Sequence, residues 1–421
     1  MSVIIIESTQ EFEAFKSQLN EKTVIFPLFE TSVHPFCSKP IVMVAKNLET
    51  NEIFVLPSTH SECLPFFSNF DFLSGVNCVI LDKKYVNAPN SLDLESIIYS
   101  SGTEIELNTR TVSQDWGIRP IYQIVDLIDR DFTKIGEICR NFTKNEAFNF
   151  LNTITVPVLA GLEKNGLKVD REKFITHFEK EELVCKDDYV FTQYNYLTST
   201  GRPSNRFGGV NFSALKKAYN SRDCFVSRFL GGNLFLMDYD SYHPRLISKL
   251  VDVELPPGSI HEYFGRLYFN KLDLTPEEYE ESKKITFRLV YGNITDEYKG
   301  IEYFKKIDEF INSLWDFHQD NGFIKSVISK IKITADSKTK LFNYLIQNFE
   351  TECNMLVLQD ILKIEAKSKP ILYTYDSILF DIHPDEGLDY VRKVRDIMSN
   401  DGFGVKIYQG NNYNDMKIFN L

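Results

Sequence analysis

The chain lacks the features that mark several common protein classes. Its cysteines, at 37, 63, 78, 139, 185, 224 and 353, are scattered without a Cys-x-x-Cys pair. That spacing argues against a zinc centre or a disulfide framework and fits a reducing compartment. Long apolar runs are missing, so no stretch reaches the roughly 20 residues that span a bilayer. The opening "MSVIIIESTQEFEAF" has a short apolar run followed by acids, whereas a secretory signal needs a basic start and a longer apolar core. Internal repeats and low-complexity tracts are also absent. Positive charge is in the minority, 47 Lys and Arg against 59 Asp and Glu for a net charge of −12, which excludes a uniformly basic nucleic-acid coat. The expectation is a cytoplasmic protein with no membrane contact.

What is present is apolar and aromatic. Of 421 residues, 43% are hydrophobic, with 34 Phe and 21 Tyr, enough for the cores of two or three domains and too much for disorder. Charge is uneven. Between 202 and 249 the bases Arg202, Arg206, Lys216, Lys217, Arg222, Arg228, Arg245 and Lys249 outnumber the acids Asp223, Asp238 and Asp240, while the stretch before 130 is acidic. Only part of the surface is therefore suited to an anionic partner.

The first part of the chain alternates strands and helices. "SVIII" reads as a strand, Ser8 and Glu11 as a capping box opening a helix, and "KTVIFPLFE", "PIVMVAKNLETNEIFVLP" and "NCVILD" as further strands, the middle one a hairpin. This pattern predicts a small α/β domain ending between 110 and 130. Helical spacing follows in "IVDLIDRDFTKIGEICRNF", a Thr/Ser/Gly/Pro-rich loop in "TSTGRPSNRFGG", and helices again in "EYFGRLYFN" and "TPEEYEESKKITFRLVYGN". Thr275 is placed to cap the last of these, with Pro276 at its first position. A long amphipathic helix over "TKLFNYLIQNFETECNMLVLQDILKIEAKS" precedes two strands joined by a tight turn, "PILYTYDSILFDI".

Two aspartates stand out. Asp238 closes the apolar run "LFLMD", and Asp376 sits at the tip of the last hairpin. A single Asp at a strand end is ordinary turn chemistry. Two such carboxylates on neighbouring strand ends can instead hold two divalent ions about 3.5–4 Å apart, the arrangement for in-line phosphoryl transfer.

In order along the chain, "TGRPSN", "DYDSYHPRL", "KKITFRLVYG", "LFNYLIQN" and "YTYDSILF" resemble the ordered motifs of family A DNA polymerases, the bacterial DNA polymerase I type. The resemblance runs from about 155 to 410 and includes "GLEKNGLKVD", which in the family precedes the thumb. Five motifs in one order are far more specific than any one of them. The resemblance implies a chain of α/β and α+β class. An N-terminal exonuclease-like (ribonuclease H-like) α/β domain would occupy 1–130, and a helical connection with a reduced thumb 131–200. A polymerase palm built on an antiparallel sheet would occupy 201–421, with helical fingers at about 255–320. It further implies Asp238 and Asp376 as ligands of two Mg²⁺ ions, or Mn²⁺, with the backbone carbonyl of Tyr239 as a further ligand. Lys283, Phe287 and Tyr291, spaced by four, share one helical face. They would meet the triphosphate, the sugar and base, and the templating position of an incoming dNTP. Arg202 would touch the primer end, and Asn343 and Gln347 would read minor-groove acceptors common to every base pair.

The departures are specific. His243 stands where the family has a glutamate that packs under the sugar, which puts sugar discrimination in question, while Arg245 keeps its place. The hairpin reads Tyr375, Asp376, Ser377, so a third carboxylate is missing, and Asp240 is the nearest one to compensate electrostatically. Tyr279 replaces an arginine one turn before Lys283. Arg171 to Thr200 is too short for the usual thumb, which implies weak grip on DNA and dependence on a processivity or replisome partner. In the N-terminal domain Leu28 takes the place of the first exonuclease aspartate and only Glu30 remains. Asp82 and the Tyr122/Asp126 pair are similar to the other acids. The expectation is a template-directed DNA polymerase without proofreading, of a compact phage-like form, in a bacterium or an infected host cell. The alternatives are a catalytically inactive polymerase-like DNA-binding or replisome subunit, and an untemplated nucleotidyltransferase, which would have no use for Arg202, Asn343 and Gln347.

Overall fold

A computed structural model of the chain describes residues 2–30, 34–111, 115–205, 209–215, 217–400 and 402–421. Residues 206–208 of the Gly/Pro-rich loop, and Arg206 and Lys216 of the basic stretch, lie outside the described residues. Two compact units divide the chain, Met1–Gln193 and Tyr194–Leu421.

The first unit is built on a six-stranded mixed sheet. Its strands are β1 (Val3–Ile5), β2 (Thr23–Phe29), β3 (Pro40–Asn47), β4 (Ile53–Pro57), β5 (Val79–Ile80) and β6 (Leu92–Asp93), in the order β1-β4-β3-β2-β5-β6. β2, β3 and β4 pair antiparallel, and β1 on β4, β2 on β5 and β5 on β6 pair parallel. The strands read as unbroken apolar runs because both faces are covered. Val24, Phe26, Val42, Val44 and Val55 pack with Ile124, Ile128, Phe132 and Ile135 of a long helix, Ile121–Asn141, on one side. Ile25, Met43, Phe54 and Leu56 pack with Phe15 of α1 (Thr9–Gln18), Phe67 and Phe70 on the other. The Ser8–Glu11 capping box forms as expected. Because the helix Ile121–Asn141 buries its apolar face in this core, the unit runs past 130. Two further helices, α2 (Leu94–Ser101) and α3 (Val156–Asn165), also belong to it. Residues 171–193 form one eight-residue helix, Arg171–Phe178, short turns and a two-residue ribbon pairing Leu167–Lys168 with Tyr189–Val190.

The second unit carries a five-stranded antiparallel sheet. β7 (Asn233–Tyr239) is central, between β9 (Ser377–Ile382) and β10 (Val405–Gly410), with β8 (Lys369–Thr374) and β11 (Lys417–Ile418) at the edges. Phe235, Met237 and Tyr239 of β7 are buried, whereas Leu236 and Asp238, which alternate with them, are half-buried. α4 (Tyr242–Leu250) follows β7 directly. A helical cluster comprises α5 (Ile260–Phe269), α6 (Pro276–Tyr291) and α7 (Glu302–Asn321). It closes around Phe264, Leu289, Tyr303, Phe304 and Ile307, and around Phe342 and Ile346 of α8 (Lys338–Leu362). The capping box of Thr275 and Glu278, with Pro276 inside it, starts α6. α9 (Gly387–Ser399) completes the unit. No described helix is long and apolar enough to cross a membrane.

Candidate active site

The register of the second sheet sets the carboxylates. Asp238, the penultimate residue of β7, pairs with Ser377 of β9 on one side and Lys406 of β10 on the other. β8 and β9 are joined through Tyr375 and Asp376, and the Tyr239 N–H donates to the Asp376 carbonyl at 3.0 Å. The two aspartates thus come from adjoining strand ends. Tyr375 adopts φ 60°, a left-handed conformation that is costly for a bulky residue and is found where surrounding contacts enforce it. Its carbonyl accepts from Asn354 Nδ2 at 2.7 Å, and its ring lies 4.6 Å from the Arg202 guanidinium. Tyr239 stacks its ring on Tyr242 at 4.0 Å, and alternation carries that ring to the face opposite Asp238.

The electrostatics of the pair are unbalanced. Burial, then Asp376, pushes the Asp238 carboxyl up to about 7, with Lys406 opposing and Asp240 adding to the rise. Desolvation and then the Glu350 carboxylate raise Asp376, against the pull of Arg202 and His243. Lys406 bonds Asp240 Oδ1 at 2.7 Å, so Asp240 is ion-paired beside the two aspartates. Among the described residues, no three of His, Cys, Asp and Glu converge as a ready-made metal cage. The chemistry of the pair is nevertheless that of a hard-cation site, two oxygen donors whose repulsion an added cation would relieve.

Behind the pair lies a buried polar network. Glu350 of α8 is 1% exposed, accepts from Arg202 Nε at 2.6 Å and lies 3.1 Å from His243 Nε2. His243 Nδ1 meets the Tyr291 hydroxyl at 2.5 Å. Burial works to raise the Glu350 carboxyl, but His243 and Arg202 together hold it below its ordinary value. Gly201 allows this approach. It has φ +68°, and a Cβ there would collide with the Asn348 side chain on α8. Arg202 is therefore engaged within the protein.

The three residues spaced by four share one face of α6. The helix buries Ser282, Ile285, Thr286, Leu289 and Val290 and leaves Lys283, Phe287 and Tyr291 along a different face, with Phe287 44% exposed. Phe287 and Tyr291 stack at 5.9 Å, and His261 of α5 packs on Phe287 at 5.3 Å. Lys283 lies over the Tyr279 ring and pairs with Glu280. Arg245 donates to the Gly258 carbonyl at 2.7 Å, which ties α4 to the loop before α5. Asn343 Nδ2 donates to the Tyr291 carbonyl at 3.1 Å, while its Oδ1 is buried and makes no hydrogen bond among the described residues. Gln347 is half-buried one turn further along α8.

No protein-family model matches the chain. Its fold is similar to that of the POL domain of Pol1 from M. smegmatis, solved in complex with DNA primer-template and dNTP. The TM-score is 0.70, with 98% of this chain and 99% of that chain covered at 13% sequence identity. What the two share is the fold, a mixed α/β polymerase-domain architecture.

Three residues of this site were not singled out in the sequence. Glu350 had a readable signal, since Asn343, Gln347, Glu350 and Asn354 form a polar stripe at helical spacing. Lys406 had none, because its place beside Asp238 depends on strand register. His261, pushed down to about 4 by burial and next by Lys283, is held neutral near Asp240 and Lys406, and nothing in its spacing marks it.

The acids of the first unit are arranged differently. Leu28 is 4% exposed and packs in the core, and Glu30 is exposed. Asp82 bonds Arg110 at 2.6 Å, and Arg110 also pairs with Glu95. Asp126 pairs with Arg130 on the exposed side of its helix, and Tyr122 is 71% exposed.

Proposed function

We propose that the chain is a template-directed DNA polymerase of the family A type, which adds dNTPs to a primer 3′-end. The observation that carries this reading is the Asp238/Asp376 pair, two under-compensated carboxylates on adjoining strand ends below a helix that presents Lys283, Phe287 and Tyr291. The likeness in fold to a polymerase domain solved with primer-template and dNTP supports it.

In this reading the primer 3′-hydroxyl oxygen attacks the α-phosphorus of the dNTP, forming one P–O bond as the bond to pyrophosphate breaks. Asp238 and Asp376, with the Tyr239 carbonyl, would hold two Mg²⁺ ions, and Mn²⁺ suits the same oxygen donors. When bound, such ions supply charge neutralisation at the attacking and leaving oxygens. Lys283 orients the triphosphate. Lys406 and the neutral His261 add donors near the place where Tyr279 stands instead of an arginine. Phe287 and Tyr291 offer an aromatic surface to sugar and base, and His243 closes the site beneath Tyr291 while Arg245 holds its helix to α5. Arg202, Asn343 and Gln347 would inspect the primer terminus and the minor groove. The first unit would be an exonuclease-like domain without excision chemistry, because Leu28 replaces its first aspartate, Asp82 and Asp126 are ion-paired, and Glu30 is exposed. The short stretch after 171 fits a compact, phage-like replicase that relies on a partner for grip.

The test is extension of a labelled primer on a template with Mg²⁺ and dNTPs, comparing the native chain with Asp376→Asn. Templated extension that is lost in the variant supports the proposal. Equal binding of primer-template by both proteins without extension would make the chain a DNA-binding subunit. Addition that ignores the template would make it an untemplated transferase.

A further inference from the structure

Arg202 and His243 meet on the Glu350 carboxylate. Arg202 Nη2 also lies 3.1 Å from His243 Nε2, the same nitrogen that faces the Glu350 carboxylate. A neutral imidazole has one donor and one acceptor nitrogen. His243 Nε2 therefore donates to Glu350 or accepts from Arg202, but does not do both. If Nε2 donates, Nδ1 accepts a hydrogen bond from the Tyr291 hydroxyl. If Nε2 accepts, Nδ1 carries the proton and donates to the Tyr291 oxygen. The position of Arg202 at one end of the network thus sets the hydrogen-bond role of Tyr291 at the other.

The mechanical setting supports such a relay. Arg202 rests on the Tyr375 ring next to Asp376, His243 opens α4, and Tyr291 ends α6. Glu350 comes from α8, whose buried polar residues are tied to neighbouring stretches. Asn354 bonds the Tyr375 carbonyl, Asn348 bonds the Ser199 carbonyl at 3.4 Å, and Glu352 accepts from the backbone N–H groups of Ile328 and Ser329. A buried hydrogen-bonded network of this kind couples its members, so a change at one alters the others.

We infer that Glu350 is a positioning residue that couples the Arg202 end of the site to the Tyr291 end. When Arg202 turns to a ligand, Glu350 is left to His243, whose Nδ1 then accepts the hydrogen bond donated by the Tyr291 hydroxyl and fixes that hydroxyl. The functional meaning rests on the polymerase reading, in which Arg202 faces the primer terminus and Tyr291 the incoming nucleotide.

A double-mutant cycle tests this. Arg202→Ala, Tyr291→Phe and the double variant are compared in the native and the Glu350→Gln backgrounds by single-nucleotide addition to a matched primer-template, with KM and kcat read separately. The expected result is non-additivity in the KM for dNTP of about tenfold in the native background, additivity in the Glu350→Gln background, and a larger effect of Glu350→Gln on KM than on kcat. A merely structural glutamate would lower the melting temperature without changing the coupling between the other two sites. Should Glu350→Gln not fold, Glu350→Asp, which keeps the charge on a shorter stem, takes its place. Templated addition with additive effects in the native background would overturn this inference alone. No templated addition by the native chain would overturn the polymerase reading and this inference with it.

Discussion

Glu163 of the first unit and the Asp238/Asp376 pair of the second sit in opposite electrostatic settings. In the first, Glu163 of α3 is fully buried against Lys84 at 2.5 Å, with His34 3.7 Å away, and Asp82 is bonded by Arg110. Lys84 and His34 outweigh the burial that would raise Glu163 and hold it below its ordinary value. In the second, Asp238 and Asp376 are both raised, with carboxylates among the causes. A carboxylate whose charge is matched inside the protein is part of the fold. One whose charge is left unmatched makes the site ready for an external cation, at a cost in stability.

Removing acids from each unit should break the contrast in different currencies. The largest effect is on activity: Asp376→Asn is expected to lower primer extension by about 10³-fold or more, since in the proposed polymerase reading the carboxylate pair carries the chemistry. The next is on stability: Glu163→Gln should cost about 3 kcal/mol by removing the charge that faces buried Lys84, read as a fall in melting temperature. Asp238→Asn should do the reverse. The folded-state value of about 7 for Asp238 lies above its ordinary value of 3.8, so between these limits the folded chain holds a proton that the unfolded chain has lost. Stability without metal therefore falls as pH rises through this window. Asp238→Asn should remove that slope, gaining on the order of 2 kcal/mol at pH 8 after allowance for solvent at the site, and nothing near pH 4. A melting series across pH with EDTA present checks the sign. The smallest effect sharpens the cation side. Tyr279→Arg places a second cation one turn from Lys283 and should lower the KM for dNTP by about threefold, a modest gain because the residue lies near solvent.

Much of the site was legible because its signals are local. The capping boxes at Ser8 and Thr275, the four-residue spacing of Lys283, Phe287 and Tyr291, and the tight turn carrying Asp376 each need only neighbouring residues, and all are found in the structure. Lys406 was not legible, because nothing in "GVKIYQG" says which strand it will pair with. Its place beside Asp238 is a property of the sheet. Glu350 announces a polar helix face, but only Gly201, by letting Arg202 approach α8, makes it the centre of a network. The extent of the first unit, to Gln193, was hidden for a similar reason. The amphipathic pattern of Ile121–Asn141 fits a connecting helix as well as a core helix, and the sheet it covers decides between them.

The most direct test of the central contrast is the effect of Mg²⁺ on thermal unfolding at pH 5.5 and pH 8. The account predicts that Mg²⁺ raises the melting temperature, more at pH 8 than at pH 5.5 because protons compete for the same carboxylates. It also predicts that the rise is lost in the Asp238→Asn/Asp376→Asn double variant and kept in Asp82→Asn. A rise that survives the double variant, or that is lost with Asp82→Asn, would contradict it.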